Sequence, residues 1–188
     1  MLLTLREIQD GLDKEFIPLE PLLEGFRLID TPEPHFDAAR CEAKLQVHLP
    51  TSFKSVVGSY DFGRITIGPV AFCNSGDYCR EIIRDNRPDE FSQWWGPGDR
   101  PNGKVLVGST ESYAIILNTL DGTMSVIPNG EPVTRYLTAA QDFEMLVRGV
   151  GSVFLLRLQT DDRAAIPVAI AKAVGGEEGL AFWSYLAE

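Results

Sequence analysis

The sequence predicts an α+β fold, with a twisted, mainly antiparallel sheet packed against helices and extra helices at the C-terminal end. Three observations carry this. Apolar residues recur at helical spacing through the first third of the chain, β-branched and aromatic residues gather in short runs between Lys104 and Tyr136, and helical spacing returns beyond Gly149. With 188 residues, 44% of them hydrophobic, the chain is long enough to bury a core as one domain spanning residues 1–188.

The first helix is expected from Leu5, Ile8, Leu12 and Phe16, with Thr4 placed to cap it and Pro18 and Pro21 to end it. A second should run from about Phe36 to Val47, burying Phe36, Ala39, Ala43 and Val47. A third should follow Leu49-Pro50, with Phe53, Val56, Val57 and Tyr60 on one face and Gly63 as its stop. Ile65 to Ile67 and Val70 to Phe72 read as short strands about the turn Gly68-Pro69, and Asp77 to Arg84 as a helix. Asp85 to Gly103 is rich in Pro and Gly and should be loop, with one turn of helix around Glu90 to Trp94.

Lys104 to Val107, Tyr113 to Thr119, Thr123 to Ile127 and Val133 to Tyr136 form the expected strand core. Asp121-Gly122 suggests a two-residue hairpin turn, which needs positive φ. Thr138 to Gln141 has the form of a capping box opening a helix that buries Phe143, Leu146, Val147 and Val150. Beyond Gly149 and Gly151, helices are expected at Val153 to Leu158, at Ala164 to Val174, and in a last piece carrying Leu180, Trp183 and Leu186. This tail should pack on the domain.

Seventeen Lys and Arg against 27 Asp and Glu give a net charge of −10, which repels a phosphate backbone and argues against direct nucleic-acid binding. The same charge would speed encounter with a basic partner, although acidity also serves solubility alone. Arg6 and Glu7 interrupt the leucines at the start, so there is no secretory apolar stretch, and no span is long enough to cross a membrane. The reading is a cytoplasmic, soluble protein. Cys41, Cys73 and Cys79 form neither an even disulfide framework nor a C-x-x-C pair, so reduced, buried thiols are expected. Cys73 and Cys79 as a redox pair are the alternative.

Catalytic motifs fail one by one. Asp61-Phe62-Gly63 spells a kinase tripeptide without any of its companion motifs, and neither Ser75 nor Ser109 stands in a nucleophile context. His35, His48 and Cys41 are spread along one expected helix and do not make a metal set, and the carboxylates lack calcium-loop spacing. No cofactor or metal is implied. Trp94-Trp95 is more informative: neighbouring side chains on a helical turn diverge, so one can pack inward while the other faces out. With Asp89, Glu90 and Asp99 around it, an exposed Trp would be an anchor with an acidic rim, making Trp94, Trp95, Asp89 and Glu90 the candidate partner-binding residues; the other reading puts both tryptophans in the core.

The segment Ala39 to Gly63 resembles the opening of the SUKH (Smi/Knr-like) superfamily, in which an acidic helix ends in a hydrophobic residue, then Leu-Pro, then a polar-aromatic helix finishing at Gly. Leu49, Pro50, Phe53, Tyr60 and Gly63 match those positions. Lys104 to Ser109 with Gly108, the strand Tyr113 to Leu117, Asp121-Gly122 and Ala140 to Leu146 with Phe143 resemble the second half. The match covers about residues 36–150; Asp85 to Gly103 and everything from Gly149 onward lie outside it. The resemblance implies a non-catalytic α+β module, of the kind that in bacteria serves as an immunity protein neutralising a cognate toxin, often a nuclease, by direct binding. A basic toxin domain would suit a charge of −10. A regulatory or scaffolding module with another partner, and a small enzyme using clustered carboxylates, are the competing readings.

Overall fold

The computed structural model describes residues 1–31, 35–87, 93–95, 100–160 and 163–188. Six strands form one open antiparallel meander in chain order: β1 Ile65–Ile67, β2 Val70–Cys73, β3 Lys104–Ser109, β4 Tyr113–Asn118, β5 Met124–Pro128 and β6 Leu137–Ala140. The sheet alternates faces with period two. Val105, Val107, Ile115, Leu117, Met124 and Val126 point into the main core, whereas Leu106, Ala114, Ile116 and Ile127 form a second, smaller cluster on the opposite face.

Helices cover the main-core face. They are α1 Leu5–Phe16, α2 Ala38–Leu45, α3 Thr51–Ser59, α4 Tyr78–Asp85, α5 Phe143–Arg157, α6 Ala165–Ala173 and α7 Leu180–Ala187. Thr4 and Glu7 close a reciprocal capping box that fixes the start of α1, and Asp37, Asp77 and Asp142 cap α2, α4 and α5 through their carboxylates. One apolar cluster runs from Ile8 in α1 to Leu186 in α7, so the C-terminal helices share the core of the sheet. At its centre Phe53 of α3 meets Phe143 of α5 at a ring separation of 4.6 Å, with Phe62 and Phe72 alongside.

Five expectations are corrected. In α2 the buried residues are Cys41 and Leu45, and Ala39 and Ala43 face solvent, because the Asp37 cap sets the helical phase and Gln46, at φ 54°, ends the helix before Val47. The turn after β4 is a loop over residues 119–122 in which only Gly122 takes positive φ. Asp121 accepts from the Thr123 N–H and hydroxyl instead.

The last strand is Leu137–Ala140, not Val133 to Tyr136. Pro132 lacks an N–H and starts a turn closed by the Arg135 N–H, while Val133 and Tyr136 fold over the outer cluster. Thr138 is therefore in a strand, paired with Ser125, and opens no helix; Asp142 is the cap. Finally, α5 runs unbroken through Gly149 and Gly151. Those glycines are sites of close approach: a Cβ at Gly149 would lie 2.5 Å from the Trp183 ring, and one at Gly151 would lie 2.6 Å from Ile8.

Candidate partner-binding surface

After α1 the chain makes a 3-10 turn, Ile17–Leu19, and then an irregular stretch to Asp30 that is firmly anchored at both ends. Phe26 stacks on Phe16 at 5.2 Å, Phe16 stacks on Phe154 of α5, and Leu28 is fully buried. The Gly25 carbonyl accepts from the Thr66 N–H on the edge strand β1, and the Ile29 carbonyl accepts from the Asp61 N–H. Arg27 donates to Asp13 at 2.7 Å and to Glu20 at 2.9 Å, tying the stretch back to α1, and these partners hold its charge more firmly still.

On this scaffold Ile17, Leu19, Leu22 and Leu23 point outward, Leu22 with 88% of its surface exposed. Four exposed large apolar side chains within seven residues make this stretch an apolar ledge. Its rim is acidic. Glu15 and Glu24 flank it without ion-pair partners among the described residues, and Glu20 and Asp13 lie behind it on Arg27. Residues 1–37 hold nine acidic residues against three basic ones. In the sequence an apolar run between prolines looks like helix termination; the signal for the ledge is Leu-Glu-Pro-Leu-Leu-Glu, residues 19–24, apolar residues with no face to bury.

Trp95 and Trp94 sit elsewhere, on the outer face of the sheet. Trp95 is 5% exposed, packs with Leu106 and Ile116, and donates its indole N–H to Asn86. The Asn86 side chain also accepts from the Leu106 N–H and donates to the Leu106 and Ile82 carbonyls, so one amide binds α4, β3 and Trp95 together. Trp94 is half-buried, edge-on to Trp95 at 4.7 Å, and of the two tryptophans it alone remains open to an incoming protein. Asp89 and Glu90 lie outside the described residues, so the rim drawn around Trp94 from sequence is not seen.

The residues of the motif pattern have fold-building positions. Leu49 is buried, Pro50 precedes the first turn of α3, and Tyr60 caps its end and bridges to Asp30. A Cβ at Gly63 would meet the Gly76 carbonyl at 2.9 Å, and one at Gly108, at the bulge in β3, would meet that of Ala71 at 3.0 Å.

The groups considered for chemistry are separated or engaged. Cys73 donates to Glu81, whereas Cys79 lies beside Cys41, so Cys73 and Cys79 do not form a pair. Burial, then the neighbouring Cys79, pushes the Cys41 thiol up to about 12, and burial raises Cys73 and Cys79 too. Burial opposes ionisation of Glu81, yet hydrogen bonds from Ser75, Cys73 and Asn74 together hold it below its usual range. A cavity of about 240 Å³ beside His35, Tyr60, Asp61 and Asp77 is the best place for acid–base work. There Asp61 accepts from the Gly63 N–H and Asp77 from the Arg80 N–H. Among the described residues no group of three or more His, Cys, Asp or Glu could hold a metal ion, and no helix is long and apolar enough to cross a membrane.

Comparison of the chain with protein-family models, with curated proteins and with solved structures finds no match.

Proposed function

We propose that this protein is a non-catalytic binding module that neutralises a basic protein toxin, such as a nuclease, by docking it on the ledge at Ile17, Leu19, Leu22 and Leu23. The single observation that carries the reading is that ledge: exposed apolar side chains on an anchored segment, rimmed by Glu15 and Glu24, whose carboxylates have no ion-pair partner among the described residues. Apolar area supplies the affinity of such an interface, and the surrounding negative charge supplies encounter rate and selects a basic partner. The SUKH-like order of motifs in the sequence supports a toxin as that partner. The engagement of Asp61 and Asp77 in loop and cap hydrogen bonds weighs against carboxylate catalysis.

The test is co-expression with the toxin-like product of the adjacent reading frame. Wild-type protein should rescue growth, and Leu19→Asp with Leu22→Asp should abolish rescue. Capture of house-keeping proteins with no rescue would favour the scaffolding reading instead.

A further inference from the structure

On the side of the molecule built by α2 and α4, the charge reverses. Residues 38–104 hold nine basic residues against eight acidic ones, in a chain whose overall charge is −10. Five of those nine line one cavity of about 260 Å³: Arg40 and Lys44 from α2, and Arg80, Arg84 and Arg87 from α4 and its end, over a floor of buried Ile83. The i, i+4 spacings of Arg40 and Lys44 on α2 and of Arg80 and Arg84 on α4 put each pair on one face of its helix, and Arg87, just past the α4 cap, lines the same cavity between them.

The helices cannot splay to relieve this. Tyr78 donates its hydroxyl to the Val107 carbonyl and Asn86 ties the end of α4 to Leu106, while Arg100 donates to the Leu45 carbonyl at the end of α2. Buried Cys41 and Cys79 meet between the two helices.

Carboxylates reach only part of the cluster. Arg84 bonds Asp85 at 2.7 Å and Glu81 at 3.6 Å, and Arg40 stands 3.9 Å from Asp77. Lys44, Arg80 and Arg87 have no carboxylate partner among the described residues. Among the described residues these three cations face one concavity with no carboxylate between them; like charges so placed repel one another, and the guanidinium groups suit phosphate oxygens in paired hydrogen bonds.

We propose that this cavity binds a small di- or triphosphate anion, free or as the phosphate tail of a larger molecule. A volume of about 260 Å³ holds such a group but not an extended chain. A long polyanion would also run onto the acidic remainder of the surface, whereas screening over roughly 8 Å at physiological salt leaves the local field to a short one. The site is independent of the apolar ledge and of the partner assigned to it.

Calorimetric titration of the full chain at 150 mM salt with pyrophosphate, orthophosphate, ADP and a hexaglutamate peptide tests this. Pyrophosphate should bind about tenfold or more tightly than orthophosphate, and Lys44→Ala with Arg80→Ala and Arg87→Ala should weaken it by about tenfold or more. Arg80→Gln alone should weaken it by a smaller factor, and Arg135→Ala, outside the cavity, should leave it unchanged. ADP binding as tightly as pyrophosphate assigns a phosphate tail, and weaker ADP binding assigns the free ion; both sustain the proposal. These side chains are exposed, so circular dichroism should match wild type in each variant. Absence of pyrophosphate binding, binding unchanged in the triple variant, or displacement of pyrophosphate by an equal or lower concentration of hexaglutamate would overturn it.

Discussion

Glu42 does at one residue what sequence patterning cannot display. Its carboxylate accepts from the Leu49 N–H at 2.8 Å and from Lys54 at 3.1 Å, joining α2 to α3 across the Leu-Pro junction. The Leu49 N–H first, and Lys54 with it, hold the carboxyl below its usual range. A carboxyl depressed by folding adds stability above its unfolded value, and that stability is lost as pH falls through the folded value. Glu42→Gln should therefore lower unfolding free energy at pH 7 by about 1 kcal/mol, with the difference from wild type shrinking as the pH drops below about 4. Denaturant titrations at both pH values measure it, and a pH-independent difference would contradict the assignment.

The thiols behave in the opposite sense. A group raised by folding gives stability that is complete below its unfolded value and is lost as pH rises toward the folded one, for Cys41 about 12. Iodoacetamide at pH 8 should leave Cys41 unmodified in the folded protein and label it in denaturant. The sequence marked these cysteines as buried and reduced, but their partners, Glu81 for Cys73 and Cys41 for Cys79, come from elements that only the fold brings together.

At the scale of elements, helix starts and the strands from β1 to β5 follow from local signals: caps at Thr4 and Asp77, Pro50 before α3, and runs of β-branched and aromatic residues along β3 and β4. The end of the sheet departs from local propensity because tertiary packing overrides it there. Ala139 and Ala140 are poor strand formers, yet the Ala139 carbonyl accepts from the Trp183 indole, and Gly176 approaches it too closely for any Cβ.

The same reasoning applies to α5, where a residue that looks like a helix stop is a seat for Trp183. Gly149→Ala would gain about 1 kcal/mol of helix propensity but force a methyl group into a fixed, fully buried ring, at a cost of about 1–3 kcal/mol. A lowered denaturation midpoint is expected, and a raised one would show that the helices slide freely. The ledge makes the contrasting case. Leu22→Asp should change stability by no more than about 0.5 kcal/mol, since Leu22 has nothing to lose on the folded surface.

The whole molecule is electrically divided. Acidic residues dominate up to residue 37 and again beyond residue 104, with ten against five in the latter stretch, while α2 and α4 gather cations. A net charge of −10 read from composition correctly describes the total but hides this segregation, and one helix face at a time reveals nothing of it until α2 and α4 are set side by side. The ledge was hidden for a similar reason: whether an apolar residue is buried or offered to a partner depends on what the rest of the chain leaves uncovered.

The most direct measurement is the dissociation constant between this protein and the toxin of its neighbouring reading frame, for wild type and for Leu19→Asp with Leu22→Asp, at low and high salt. Tight binding by wild type, weakened about a hundredfold or more in the variant and slower to form at high salt, is the predicted result. Binding that is absent, or that survives unchanged in the ledge variant, would contradict a toxin-neutralising surface at Ile17 to Leu23.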